Sequence, residues 1–156
     1  MNRLFLCALL LSGCVAQALV LPPQDMRPAA VQFGLRFAHA DRAVPLQGAV
    51  QMSEQEGSLG LIFPHGPTLG VCRYRTGGME CSLAGEGSAG TRFMLQRIGL
   101  AVYRILPALM REPVRDITEA DWTLRWKETD AGRRAEYRDL EAQVTLEMLF
   151  TEIARP

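Results

Sequence analysis

Apolar and polar residues alternate along much of the chain, and this period of two is the strongest constraint on what it can fold into. Residues 31–38, 122–127 and 144–151 each show the alternation over at least six positions. Successive side chains of a strand point to opposite faces of a sheet. The pattern therefore predicts antiparallel strands with one dry face and one wet face, connected as a meander by turns rich in Gly and Pro.

One segment in the middle of the chain has a helical period instead. Its apolar residues share one side of a helical wheel, with Phe93 and Leu100 as exceptions on the polar side. Ser88 or Thr91 can cap its start, and Pro107 stops or kinks its end. A helix with a wide apolar face must cover the dry face of the sheet. The sequence thus predicts an α+β fold, a curved antiparallel half-barrel of seven or eight strands covered by one amphipathic helix.

The first fourteen residues have the layout of an export signal. Arg3 supplies a positive charge, and Leu4–Leu11 is an apolar stretch too short to span a bilayer core of roughly 30 Å. The run Leu11-Ser12-Gly13-Cys14 resembles the lipobox of bacterial lipoprotein precursors. The resemblance implies that residues 1–13 are removed and that Cys14 becomes the acylated N-terminus. A plain secretory signal, or a buried apolar start, is the alternative interpretation.

The rest of the chain divides into a tether and one domain. Residues 14–30 are predicted to be an extended tether, because Pro22, Pro23 and Pro28 disfavour helix. Residues 31–156 then form a single domain, as a chain of 156 residues allows.

Two cysteines lie on opposite strands of the clearest hairpin, residues 69–83. A four-residue loop, residues 75–78, pairs Cys72 with Cys81, whereas a two-residue Gly-Gly loop pairs Tyr74 with Cys81. The periplasm is oxidising, so an exported domain is predicted to carry a Cys72–Cys81 disulfide. Two reduced thiols in the core are the alternative.

Charge and motifs narrow the classes of function. The 17 basic residues balance the 17 acidic ones, so no bulk field favours nucleic acid. His39 and His65 are the only histidines and lack partners at metal-ligand spacing, so no metal or cofactor is predicted. The glycines of residues 85–90 match a dinucleotide loop, but without a parallel βαβ unit they indicate a linker. No cluster of nucleophile, base and orienting group stands out, so an enzyme is not predicted.

The order of these features looks like that of a known family. Lipobox, Pro-rich tether, about five strands, a helix and two or three further strands resemble the outer-membrane lipoprotein receptors of the Lol pathway (LolB-like) and their LolA-like carriers. A lipoprotein family encoded beside aryl-polyene pigment genes is also similar. Local likenesses are Leu21-Pro22-Pro23, residues 63–69 running into Tyr74, and the helix Leu95–Leu109. The resemblance implies a lipid-anchored protein on the periplasmic face of the outer membrane, and the absence of an aspartate after Cys14 agrees with that membrane.

Two functions are expected from this resemblance and from the apolar interior. The first is binding or transfer of a hydrophobic ligand, an acyl chain or a lipoprotein, between sheet and helix. The alternative is a non-catalytic structural or assembly lipoprotein, whose core is filled and whose surface docks a periplasmic protein partner. The residues predicted to line the ligand cavity are Phe33, Phe37, Leu61, Tyr74, Ile98, Val102, Ile105, Trp122, Trp126 and Leu146.

Overall fold

A computed structural model describes residues 19–21 and 28–154, which form a ten-stranded antiparallel sheet and one helix. The predicted α+β half-barrel of seven or eight strands is wrong, because the structure is mostly β, with 57% strand and 16% helix. The physical reason lies at the two edges of the sheet. Within the described residues both edge strands have two residues, which is too short to display an alternation in sequence.

The strands are β1 (Leu19–Val20), β2 (Ala29–His39), β3 (Arg42–Met52), β4 (Glu56–Ile62), β5 (Thr68–Arg75), β6 (Gly78–Leu83), β7 (Ile117–Thr118), β8 (Trp122–Thr129), β9 (Gly132–Asp139) and β10 (Val144–Ala154), and the helix is α1 (Ala89–Leu109). Their order across the sheet is β1-β6-β5-β4-β3-β2-β10-β9-β8-β7. Two meanders are thus joined where β2 pairs with β10, with Leu35 opposite Met148. Four residues of the predicted tether 14–30 pair in the sheet, namely Leu19 and Val20 in β1 and Ala29 and Ala30 in β2.

The β5–β6 hairpin has the register of the first predicted alternative. Cys72 lies opposite Cys81, and a disulfide joins them across a Cα–Cα distance of 4.0 Å. The turn is tighter than the four-residue loop, because Arg75 and Gly78 still pair and only two residues remain at the tip. One of them, Gly77, has φ of 78°, a conformation that glycine adopts without strain.

The helix lies against the dry face of the sheet and contacts strands in both halves of it. On one side the Tyr74 hydroxyl of β5 donates to the Gly99 carbonyl of α1 (2.8 Å), and on the other Arg97 bonds Asp139 of β9. Four strands separate β5 from β9, a span of about 24 Å if the sheet were flat. A helix about 10–12 Å wide contacts both β5 and β9 only because the sheet bends around it.

The ends of the helix follow the sequence signals in part. The Ser88 side chain accepts a hydrogen bond from the Thr91 backbone amide (3.1 Å), so Ser88 is the N-cap. Pro107 does not end the helix, which continues to Leu109. The helix begins beside the β2–β3 and β9–β10 turns. We call this side of the molecule the helix-start end.

Candidate ligand groove

The ten residues predicted to line a cavity come together, but eight of them are buried in a packed core. Leu61, Tyr74 and Ile98, for example, are 0% exposed, so not even a water-sized probe touches them. Side chains without accessible surface border no ligand-sized space. The region between sheet and helix is therefore filled by the residues predicted to line it. Trp122 and Trp126 keep partial exposure, and Phe37, which is 5% exposed, borders the groove at the helix-start end.

Trp122 belongs to a polar cluster that fixes the helix to β8 and β9. Its ring stacks on Tyr137 at 5.6 Å, and the Arg104 guanidinium lies 5.3 Å from its centroid. Arg104 also donates to the Tyr137 hydroxyl (2.7 Å) and to Asp121 (2.9 Å). Burial raises the pKa of Tyr137 to about 12, so its hydroxyl stays neutral at physiological pH. The cluster is structural, and it closes one flank of the core.

Trp126 lies on the same strand, but one of its polar atoms has no hydrogen-bond partner. Its indole nitrogen is buried without a hydrogen-bond partner, and its ring lies 6.0 Å from that of Phe150. A buried donor that gives up water without a replacement costs about 1–3 kcal/mol. This tryptophan therefore contributes less stability than its size suggests.

We expect Trp126→Phe to leave the free energy of unfolding within about 0.5 kcal/mol of the parent. Removing an indole N–H that has no hydrogen-bond partner is stabilising, and this offsets the loss of buried side-chain volume. The matched control is Trp122→Phe, whose ring stacks on Tyr137 and lies under the Arg104 guanidinium. That variant should lose about 1–2 kcal/mol. Urea unfolding of both proteins measures the difference, and equal losses would contradict this account.

One ligand-sized space in the described part of the chain is a groove of about 800 Å³ at the helix-start end. The first two turns of α1 form one wall, and the β2–β3 and β9–β10 turns form the other. We call it the helix-start groove. The residues that line it are Phe37, His39, Arg42, Val44, Ser88, Ala89, Gly90, Thr91, Phe93, Met94, Arg97, Glu141 and Ala142.

Phe93 gives the groove its apolar character. It is one of the two apolar residues that the helical wheel places on the polar side of α1. In the structure its ring packs 5.1 Å from His39, and the Arg97 guanidinium lies 5.3 Å from its centroid. Phe37 and Met94 are nearly buried beside it and continue the apolar floor. Phe93, an aromatic residue on the polar side of the helical wheel, is thus the sequence feature that could have indicated this site.

Asp139 holds the wall opposite the helix in place. It is 4% exposed and is the one buried charged residue within the described ranges. One carboxylate oxygen accepts from Arg97 of α1 (3.1 Å), and the other accepts from the Ala142 amide in the β9–β10 turn (2.8 Å). Sequence reasoning missed this residue, although it follows Ala135 and Tyr137 on the dry parity of β9, where an acidic side chain needs a partner.

The charges around the groove are mixed but favour an anion next to the helix. The first turn of α1 contains no acidic residue, so its amide groups retain their positive partial charge. Arg42 and Arg97 add two cations to the lining, and Glu141 adds one carboxylate. Arg97 is partly engaged by Asp139, which leaves Arg42 and the helix start as the groups best suited to bind an anionic head.

Other sequence expectations concern residues elsewhere. Cys14 and the predicted signal lie outside the described residues. Within residues 19–21 and 28–154, no three His, Cys, Asp or Glu side chains cluster as a metal site. In that part of the chain, no helix combines sufficient length with sufficient apolar character to cross a membrane. His39 lies in the groove, whereas His65 lies in the β4–β5 loop.

Compared with known protein families and with curated proteins, the sequence matches none of them. The functional interpretation therefore depends on the geometry of the helix-start groove, together with the lipobox resemblance of the N-terminus.

Proposed function

We propose that this protein is a lipoprotein anchored to the periplasmic face of the outer membrane, which binds an amphiphile with an acyl chain and an anionic head. The observation that carries the proposal is the apolar floor of the helix-start groove, bordered by arginines and the start of a helix. The ligand site thus lies at the open end of the helix–sheet layer and not in its interior.

The size and chemistry of the groove fit such a ligand. A volume of about 800 Å³ is within the range of small-molecule sites. Burial of one methylene contributes about 0.8 kcal/mol, so about eight buried methylenes contribute about 6 kcal/mol. This gain alone corresponds to a dissociation constant of about 20–40 µM, and the cost of immobilising a flexible chain weakens it to the order of hundreds of micromolar to a millimolar. An affinity in this range suits a ligand that is released again.

The first test measures binding to the chain carrying Cys14→Ser, which prevents covalent acylation at the predicted lipidation site. The purified protein is stripped of lipid and titrated with a fluorescent fatty acid, followed by competition with dodecanoate and dodecanol. We expect one saturable site and several-fold stronger competition by the carboxylate, because the alcohol lacks the charge that the groove attracts. Absence of saturable binding would contradict the proposal.

Phe93→Asp is the variant that should abolish this site. We expect at least tenfold weaker binding of the fluorescent fatty acid, because the change puts a carboxylate in the apolar floor. The fold should persist, since an acidic residue near the start of a helix is favourable. Ile62→Asp is the matched control, because Ile62 is exposed and does not line the groove. Equal weakening in both variants would show that the dye binds elsewhere.

The filled interior favours a second candidate, the assembly lipoprotein that docks a periplasmic protein. In that case the same groove would receive an apolar side chain of the partner. Leu140, in the β9–β10 turn next to the groove residue Glu141, is 51% exposed. A photo-crosslinking residue at this position in intact cells would then give a defined protein adduct. Cross-linking to lipid without a protein adduct supports the first function instead.

A further inference from the structure

The wet face of the sheet, turned away from the helix, carries a depression of about 410 Å³ over β2, β9 and β10. Gly34 of β2 keeps it open, because a Cβ atom added there would have no atom within 4 Å apart from those of its chain neighbours. Leu149 of β10 lies directly opposite Gly34 and is half-buried, so it gives this polar face an apolar floor. We call this space the wet-face depression, and it lies on the other side of the sheet from the helix-start groove.

The charged side chains around the depression are mostly basic. Three cross-strand rows of wet-face residues pass through positions 34, 36 and 38 of β2 and continue across β10, β9 and β8. These rows contain five cations and two carboxylates, namely Arg36, Arg125, Lys127, Arg134, Arg138, Glu136 and Glu147. The local excess of positive charge contrasts with a chain whose acidic and basic residues balance.

Ion pairs inside these rows do not neutralise the excess. Glu147 pairs with Arg134, and Glu136 pairs with Arg138 (2.6 Å). In the described part of the chain, no carboxylate forms an ion pair with the other three cations. Lys127 moreover lies directly opposite Arg134, and like charges in that position destabilise a sheet. A bound anion would compensate for this arrangement.

The lining indicates which kind of anion fits. Arg36 and Arg134 both line the depression, and guanidinium groups bind the oxygens of a phosphate in a bidentate geometry. A phosphate monoester carries a charge of about −1.5 to −2 at neutral pH and has three acceptor oxygens. From the open space at Gly34, the two arginines and the unbalanced charge, we propose that the wet-face depression binds a phosphate monoester, whose apolar part lies over Leu149. A soluble organic phosphate and the headgroup of phosphatidic acid both present this chemistry.

Phenyl phosphate is the probe, because it has no acyl chain to occupy the helix-start groove. It is titrated into the isotope-labelled full chain carrying Cys14→Ser, and the amide chemical shifts are measured by NMR. We expect saturable shifts at Gly34 and Leu149 and none at Phe93 of the groove. Benzoate should bind at least fivefold more weakly, because it has less charge and fewer acceptor oxygens. Saturation only at the groove, or nowhere, would overturn the proposal.

Two matched pairs of variants test the lining. Gly34→Val fills the depression without changing its charge, whereas Gly60→Val adds the same group on the wet face of β4, where a Cβ atom also meets open space. Arg36→Gln removes a cation from the lining, whereas Arg73→Gln removes an exposed wet-face cation of β5 outside it. We expect Gly34→Val and Arg36→Gln each to weaken phenyl phosphate binding at least fivefold. If either binds as tightly as its control, the proposal is wrong.

Vesicles of phosphatidylcholine with and without phosphatidic acid distinguish the two sources of the phosphate. Co-sedimentation that requires phosphatidic acid and is lost in Gly34→Val supports the site as one for a lipid headgroup. Binding of phenyl phosphate without such co-sedimentation supports it as a site for a soluble organic phosphate, and binding of neither overturns it. Because the two sites lie on opposite sides of the sheet, this proposal can fail while the proposed function stands, and the reverse.

Discussion

Asp139→Ala should lower the free energy of unfolding by about 3 kcal/mol, the largest effect expected from a single substitution at the groove. Removing one member of a buried ion pair typically costs about 3–5 kcal/mol. The lower end applies here, because the Arg97 side chain is 31% exposed and regains some hydration. The substitution also leaves the Ala142 amide without its acceptor. Urea unfolding followed by circular dichroism measures the loss.

The control for this prediction is Asp121→Ala. Asp121 also pairs with an arginine of α1, Arg104, but it is 49% exposed, so its loss should cost less than about 1 kcal/mol. Asp139→Asn should fall between the two, because an amide oxygen can still accept from Ala142. If Asp139→Ala proves no more costly than Asp121→Ala, then the carboxylate does not hold the β9–β10 turn to the helix.

The sequence predicted most of the longer strands, and it missed β9 and the two edge strands. In β9 only Ala135 and Tyr137 are apolar residues on the dry parity, which is too short an alternation to indicate a strand. β2 and β10 show the period of two over eight residues, and their dry parity is buried in the structure. β8 shows it over six residues, with Leu124 buried and both tryptophans half-buried. Within the described residues, β1 and β7 have two residues each and are defined by their pairing with β6 and β8. Such edge strands are defined by their neighbours, so the local sequence carries no signal for them.

The candidate site was misplaced for a different reason. The alternation along a strand shows which face of the sheet each residue occupies, and it correctly predicted that Leu61, Tyr74 and Leu146 share one core. It cannot show whether space remains between them, because that depends on how closely a bent sheet encloses the helix. The departures from the pattern were more informative. Phe93 on the polar side of α1 and Asp139 on the dry parity of β9 are the residues that build the groove.

Replacing both Cys72 and Cys81 with alanine should destabilise the domain by about 2–3 kcal/mol, as expected for a disulfide that closes a loop of this size. The two cysteines are nine residues apart. The disulfide also occupies space directly beneath the helix. A Cβ atom added at Gly99 would lie 2.7 Å from the Cys72 sulfur and 3.1 Å from the Cys81 sulfur. The glycine therefore allows α1 to approach the hairpin closely.

This contact makes the effect of Gly99→Ala depend on the disulfide. With the cysteines present, the added methyl group should cost about 1–2 kcal/mol net, because neither bonded sulfur can move aside and overpacking outweighs the gain in helix propensity. In the double-alanine background both cysteine sulfurs are gone, and only the flexible side chain of Met79, whose sulfur lies 2.8 Å from the added Cβ, still has to shift. The same substitution should then stabilise the domain by up to about 1 kcal/mol. Thermal or urea unfolding of the four proteins in this cycle gives the coupling. An unchanged sign in both backgrounds would mean that α1 does not rest on the disulfide, and that Gly99 is required by another contact.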